Sequence, residues 1–378
     1  MKIGIVTITE LDNFGNRLQN YALQTVLQEL GHTVETIPNL IIYKKRKNPL
    51  YKILLGVYGI FEWLILKNRN IISGLEKQEQ FEKFDLEHFS FSSKYSTIDY
   101  ISEDLDKDYD AFIAGSDQIW NSNFTFNFEF NFLRFASAYK RISYAASFGS
   151  DHVNAEYVNK FTEYLSDMAY ISVREIAGKK IVESLTDKTA TVVLDPTMLI
   201  DVSRWAEMER KPKWAIGKNY ILTYYLGDTR DRKTIFEQVY NINKEYSSYQ
   251  VIDIFDPNIP EQYSITPDEF LWLVHHAALM ITDSFHGTVF SIIFGTPFCT
   301  SPRIGGATSM QSRLDSLFEI LEIKRDGLIT DIKGQRDVFS KLEEYRGISI
   351  AYLKCALSNA EKAACKKFAY KSKNDDAR

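Results

Sequence analysis

Apolar residues along this chain fall into short runs, separated by segments in which they recur every three to four positions. Residues 3–9 read as a buried strand, residues 18–30 as an amphipathic helix stopped by Gly31, and residues 34–37 as the next strand. After an interruption the rhythm resumes, with strands at 111–114, 142–146, 170–173 and 191–194 and helices near 154–167 and 177–185. It then restarts: strand 220–225, helix 231–246, strand 250–255, helix 268–276, strand 279–282, helix 288–294, strand 297–300 and helix 309–321. Such alternation builds open parallel sheets flanked by helices. Two successive runs, divided near 201–218, predict an α/β protein of two Rossmann-like lobes facing a central cleft. The expected boundaries are 1–205 for the N-terminal lobe, 206–345 for the C-terminal lobe and 346–378 for a C-terminal helix and frayed tail. The helical part, 351–368, is long enough to cross back onto the first lobe. No repeat of 20 to 50 residues interrupts this plan, which sets solenoids and propellers aside.

The interruption is an insertion at about 43–95, basic first, then apolar, then charged. Its apolar window, 53–66, contains Glu62 and falls short of the roughly 20 residues of a bilayer span. Lys44, Lys45, Arg46, Lys47 and Lys52 precede it, and Lys67 and Arg69 follow. Two readings stand: a helix packed on the protein itself, or peripheral contact of 43–69 with an anionic membrane surface. The first residues lack the sections of a secretory signal.

Composition narrows the function classes. The 378 residues are 45% hydrophobic and 25% charged, enough to build a sizeable core and to exclude disorder as the main state. A net charge of −5 weighs against a nucleic-acid partner. Three cysteines, at 299, 355 and 365, have no CxxC spacing, so neither a disulfide framework nor a zinc site is expected, and a reducing cytoplasm is the expected compartment.

Ligands of open α/β sheets sit beyond the carboxyl ends of the strands, so polar residues just after a strand are the candidates. After the first strand, Asn13, Asn16, Gln19 and Asn20 form a neutral hydrogen-bonding set suited to sugar hydroxyls, or else cap the following helix. Only Gly15 lies among them, so this is no GxGxxG fingerprint. After 111–114, Ser116, Asp117 and Gln118 follow a glycine turn. Asp117 is a candidate proton acceptor and Trp120 a candidate sugar platform, with an N-cap as the plainer role for Ser116 or Asp117. Arg174 lies where a strand gives way to a helix, a place usual for a surface ion pair.

The sharpest candidate is Ser284-Phe285-His286-Gly287-Thr288, where an apolar strand ends and an apolar helix opens. Backbone amides of Gly287 and Thr288 at a helix start would favour an anion, and His286 beside them would neutralise phosphate or deliver a proton. His275 and His276 fit satisfied core histidines. There is no GxSxG elbow, Walker loop, HExxH or EF-hand loop, and no metal or cofactor is called for.

The motifs NFGNRLQNYAL, DAFIAGSDQIWN, RISYAASFG, YISVRE, VVLDPTML, ITDSFHGTVFSIIFGTPF and SRLDSL occur in this order over residues 1 to about 320. In them the chain resembles the polysaccharide pyruvyl transferase family. The resemblance implies a fold similar to the two-lobed GT-B glycosyltransferases, phosphoenolpyruvate as donor substrate, and a glycan or lipid-linked sugar as acceptor. It makes the first lobe the acceptor side and the second the donor side, and the product a pyruvate ketal. It places Arg174 and His286 at the donor, with Ser284 and Phe285 alongside. Some family members carry Arg where this chain has Ser284, so Arg303 or Arg313 is expected to supply the missing cation. His286 is the expected phosphate ligand or general acid. Two other functions stay open at this stage: a nucleotide-sugar glycosyltransferase on the same fold, and a non-catalytic glycan-binding protein.

Overall fold

The computed structural model describes residues 1–9, 12–39, 70–97, 100–124, 128–215, 219–227, 232–301 and 311–375. The first half of the chain runs β1 (Lys2–Val6), α1 (Phe14–Glu29), β2 (Thr33–Thr36), α2 (Asn70–His88), β3 (Ala111–Ala114), β4 (Arg141–Ser143), α3 (Val158–Ser166), β5 (Ser172–Val173), α4 (Ile176–Leu185), β6 (Thr191–Val192) and α5 (Val202–Met208). The second half runs β7 (Tyr220–Tyr224), α6 (Arg232–Ile242), β8 (Gln250–Asp253), α7 (Pro267–His276), β9 (Leu279–Thr282), α8 (Phe285–Phe294), β10 (Phe298–Thr300), α9 (Gln311–Ile320) and α10 (Arg336–Asp375).

Two separate parallel sheets result. The first has the order β2-β1-β3-β4, and parallel bridges Ile142↔Tyr170 and Ala146↔Val173 attach the β5-β6 pair to its β4 edge. The second has the order β10-β9-β7-β8, with Ile221 opposite Leu279 in register. Continuous apolar strands such as β3 and β9 are buried along their whole length, as strands covered on both faces must be. The expected α/β architecture of two Rossmann-like lobes is present. One apolar cluster runs through both lobes, from Ile3, Phe14 and Leu23 to Tyr224, Phe270 and Phe290.

Local chemistry sets the helix ends. Asn13 caps α1 by accepting from Asn16 N at 3.3 Å. Thr266 and Glu269 form a capping box at α7, with Pro267 in the first turn. Ser284 caps α8, and Gly295, at φ 69°, closes it in the left-handed region. Helix α8 therefore begins three residues before the expected position 288.

Helix α10 begins at Arg336 rather than near 351, because its first turns are largely exposed and bury only Val338 and Leu342. It does return to the first lobe. Ser349 Oγ accepts from Leu194 N at 3.0 Å, Arg346 donates to the carbonyls of Met198 and Ile200, and Tyr352 OH donates to Ser143 O at 2.9 Å.

The segment 43–69 expected to touch membrane lies outside the described residues. Of the insertion, α2 is packed on the protein: Phe81 and Phe84 are buried, and Asp85 pairs with Arg17 at 2.8 Å. Among the described residues no helix is long and apolar enough to cross a membrane.

Candidate active site

Each sheet has one point where the chain turns from building one side to building the other. In the first lobe it lies between β1 and β3, in the second between β7 and β9. Crevices at the carboxyl ends of such strand pairs are where α/β sheets bind ligands. Here the two crevices face each other and close one cavity of about 210 Å³, lined by Ile8, Asn13, Asn16, Asp117, Gln118, Phe124, Leu226, Ser284, Phe285, His286 and Arg313.

The first-lobe wall is neutral apart from Asp117. Asn13 and Asn16 stand at the start of α1, and Asp117 and Gln118 follow β3. Asp117 is held in the left-handed region at φ 67°, an unfavoured conformation for a residue with a side chain. Its carbonyl accepts from Ser147 N and Ile119 N, which fixes it there. The second-lobe wall carries an imidazole and a guanidinium. His286 occupies the second position of α8, and Arg313 comes from α9. Asp283 ties this wall together by accepting from Leu226 N and Gly227 N, both at 2.7 Å.

Directly behind the cavity lies a buried ionic cluster centred on Asp195, whose side chain is fully enclosed. Its Oδ1 accepts from Thr197 N (3.1 Å) and Thr197 Oγ1 (2.8 Å). Its Oδ2 accepts from Ser116 Oγ (2.8 Å) and Arg174 Nη1 (2.7 Å), and lies 3.4 Å from His286 Nε2. Burial alone would raise this carboxyl, but the charge and hydrogen-bonding of His286 and Arg174 outweigh it and hold Asp195 well below the usual carboxylate range. Arg174 also approaches Asp117 at 3.4 Å and Glu175 at 3.9 Å, and its guanidinium lies 4.1 Å above the Phe285 ring. Burial would lower Arg174; Asp195, Asp117 and Glu175 together raise it. Glu175, bonded by Ser147 Oγ and Phe148 N, is pushed up by burial.

Several expectations need correction. Arg174 is not among the residues lining the cavity: its side chain is 2% exposed and paired with Asp195 and Asp117. Trp120 offers no face to a sugar, because it is buried and stacked on Phe132 at 4.9 Å. Gln19 and Asn20 are structural, bonded to Thr7 and Thr36 inside the lobe. Ser116 faces Asp195 rather than the cleft. The amides of Gly287 and Thr288 are already used, donating to Ser284 Oγ and Ser284 O; with α8 starting at 285, the amides left at its tip are those of Phe285 and His286. Gly287 is small for packing reasons, since a Cβ there would lie 2.7 Å from Thr282 Oγ1 and 3.1 Å from Tyr224. Arg303 lies outside the described residues.

His275 and His276 are not core histidines: one is half-buried and the other exposed. With Glu209 they bring N and O donors within 4.8 Å of one another, a group able to hold a metal ion. Glu209 is 66 residues from His275, so no spacing announces the group, and none of the three lines the cavity.

Sequence reasoning missed Asp195. The signal was a carboxylate just after the strand 191–194, in the stretch Leu-Asp-Pro-Thr, the same position relative to a strand that drew attention to Asp117.

No curated protein matches the chain. Among solved structures it is similar to the UDP-GlcNAc 2-epimerase of Methanocaldococcus jannaschii, at TM-score 0.44 and 16% identity over 91% of this chain and 92% of that one. The UDP-GlcNAc 2-epimerase of Neisseria meningitidis gives TM-score 0.43 and 14% identity over 98% and 100%. The spinosyn rhamnosyltransferase SpnG gives 0.35 and 9% over 96% of each chain. At these scores the likeness is distant. The sequence model of the family described as polysaccharide pyruvyl transferase matches residues 13–300, most of the chain and both walls of the cavity up to α9, and the chain belongs to that family.

Proposed function

We propose that this protein transfers the pyruvyl group of phosphoenolpyruvate to two hydroxyls of a polysaccharide or its lipid-linked precursor, forming a cyclic ketal and releasing phosphate. One observation carries the reading: a single cavity sets His286, Arg313 and the start of α8 on one wall against the amides of Asn13, Asn16 and Gln118 on the other. The first wall suits a small donor with two anionic groups, the second a carbohydrate.

The reaction requires a proton at the donor's methylene carbon, which makes the central carbon electrophilic. A sugar hydroxyl adds there and loses its proton to a base. A second hydroxyl then displaces phosphate with cleavage of the carbon–oxygen bond, its proton returning to the acid that gave one to the methylene carbon, and the ring closes. His286 is assigned the acid or phosphate-binding role, and Asp117, across the cavity, that of the base. Arg313 neutralises the donor's charge as it shifts onto the leaving phosphate. Arg174 supports both walls from behind, through Asp117 and through the Phe285 ring.

The test is release of phosphate from phosphoenolpyruvate across a panel of galactosides, glucosides and mannosides, with mass spectrometry of the acceptor. Acceptor-dependent phosphate and a pyruvylated product are expected. Release of nucleoside diphosphate from a sugar nucleotide, with phosphoenolpyruvate left intact, would overturn the proposal.

A further inference from the structure

We infer that Gly15 and Asp195 of the first lobe form a socket that positions His286 of the second, so that the reactive imidazole is aligned only by the docking of both lobes. A Cβ placed on Gly15 would lie 2.0 Å from His286 Nδ1, 2.4 Å from Cγ and 2.8 Å from Cε1. Gly15 is an ordinary helical residue of α1, so its requirement is space for the facing ring rather than backbone freedom. On the opposite edge of the ring, Nε2 is buried, has no hydrogen-bond partner and faces Asp195 Oδ2 at 3.4 Å. Phe285 stands edge-on to the ring at 5.3 Å and 89°.

The imidazole is therefore confined on three sides. The carboxylate in the socket is itself immobile, because Thr197, Ser116 and Arg174 take both of its oxygens. A carboxylate fixed against one ring nitrogen holds a proton there and orients the ring, as in hydrolase triads. Here the nitrogen facing the carboxylate is Nε2, while Nδ1 packs into the space that the missing side chain at position 15 leaves. Asp195 and Gly15 are positioning residues and touch no substrate.

This inference rests on the reading of His286 as the group that meets the donor, and the experiment separates the two. Gly15→Ala, Asp195→Asn and His286→Ala are made singly, and Gly15→Ala is also combined with His286→Ala; kcat and donor KM are measured from phosphate release. Reaching ordinary contact with a new Cβ requires the ring to move by more than 1 Å, and a misplacement of that size lowers rate on the order of 100-fold. Gly15→Ala is expected to lower kcat by about that factor, and Asp195→Asn to lower kcat with donor KM changed less than about threefold. In the His286→Ala background Gly15→Ala is expected to cost nothing further, because no ring remains to be displaced. Selective 15N-histidine labelling gives a readout independent of turnover: an Nε2–H resonance held against Asp195 in the wild type, shifted or lost in Asp195→Asn. Wild-type kcat in Gly15→Ala, an additive loss in the double variant, or an unchanged Nε2–H resonance in Asp195→Asn overturns the socket. Wild-type turnover in His286→Ala overturns the functional reading instead.

Discussion

Among the buried cations where the lobes meet, Arg174 and Lys77 are accommodated in opposite ways. Arg174, behind the cavity, is compensated by charge: three carboxylates surround it, and a ring from the other lobe, Phe285, lies beneath it. Lys77, on α2, is compensated by rings. Its ammonium lies 5.1 Å from Phe14 and 5.9 Å from Phe81 on the first-lobe side, and 4.2 Å from Phe255 and 4.7 Å from Tyr263 on the second-lobe side. Burial lowers Lys77 to about 8, with Asp12 acting against the fall. Phe14 in turn stacks on Phe270 of α7 at 4.7 Å, so the first aromatic residue of α1 and that of α8 each reach into the opposite lobe. The ionic seam adjoins the chemistry, where fixed charge can orient reacting groups. The aromatic seam joins the two lobes through ring contacts.

The largest effect expected is at the active end of the ionic seam. His286→Ala should lower turnover by roughly 10²- to 10⁴-fold with an unchanged circular dichroism spectrum; a folded variant with wild-type turnover would remove His286 from the chemistry. Arg174→Ala should act on stability first. Taking one partner from a buried cluster costs about 3–5 kcal/mol, read as a lower urea midpoint, because Asp195, Asp117 and Glu175 are left facing one another. A variant that keeps its midpoint but loses donor affinity would instead make Arg174 a donor ligand.

The aromatic seam should show itself through pH. Unfolded, Lys77 titrates at its ordinary 10.5; folded, at about 8. Between these values the unfolded chain holds the extra proton, so stability rises with pH from about 8 towards 10.5, and the full cost, roughly 3 kcal/mol, is present below 8. Lys77→Met should be more stable than the wild type at pH 7, with the difference shrinking by pH 9.5 in paired urea titrations. A difference independent of pH would show that the ammonium is not desolvated.

Smaller effects belong to the walls of the cavity. Arg313→Ala should weaken donor binding by about 1.5–3 kcal/mol, roughly 10- to 150-fold in donor KM, with acceptor KM unchanged. Asn16→Ala should do the converse, raising acceptor KM by a factor of roughly 2 to 12 for one neutral hydrogen bond. Equal changes in both constants for either variant would erase the division into donor and acceptor walls.

How much of this was legible in the sequence follows from what periodicity records. Strands 111–114 and 279–282 agree with the structure residue for residue, because apolar runs bounded by polar turns mark buried parallel strands directly. Strand ends also located Asp117 and His286, since the switch-point rule needs only element order. Which cation faces the cavity was not legible: Arg174 and Arg313 both adjoin short polar stretches, and only the packing of α9 against the first lobe, seen in the Ile176 N to Ser316 Oγ bond of 3.1 Å, brings Arg313 forward and leaves Arg174 behind. Asp195 was hidden by its local role. It caps the short turn Pro196–Met198, and its second oxygen gains a function only when Ser116, 79 residues earlier, comes alongside. Gly15 registered only as an incomplete phosphate motif, because the ring that needs its space lies on the other lobe.

The return of α10 to the first lobe also sets a clock for synthesis. The bond from Leu194 N to Ser349 Oγ spans 155 residues, and that from Tyr352 to Ser143 spans 209. At roughly 5–20 residues per second, on the order of 10 to 30 seconds pass between the appearance of β6 and that of the helix that covers it. During that interval the amide of Leu194 and the carbonyls of Met198 and Ile200 wait without their final partners.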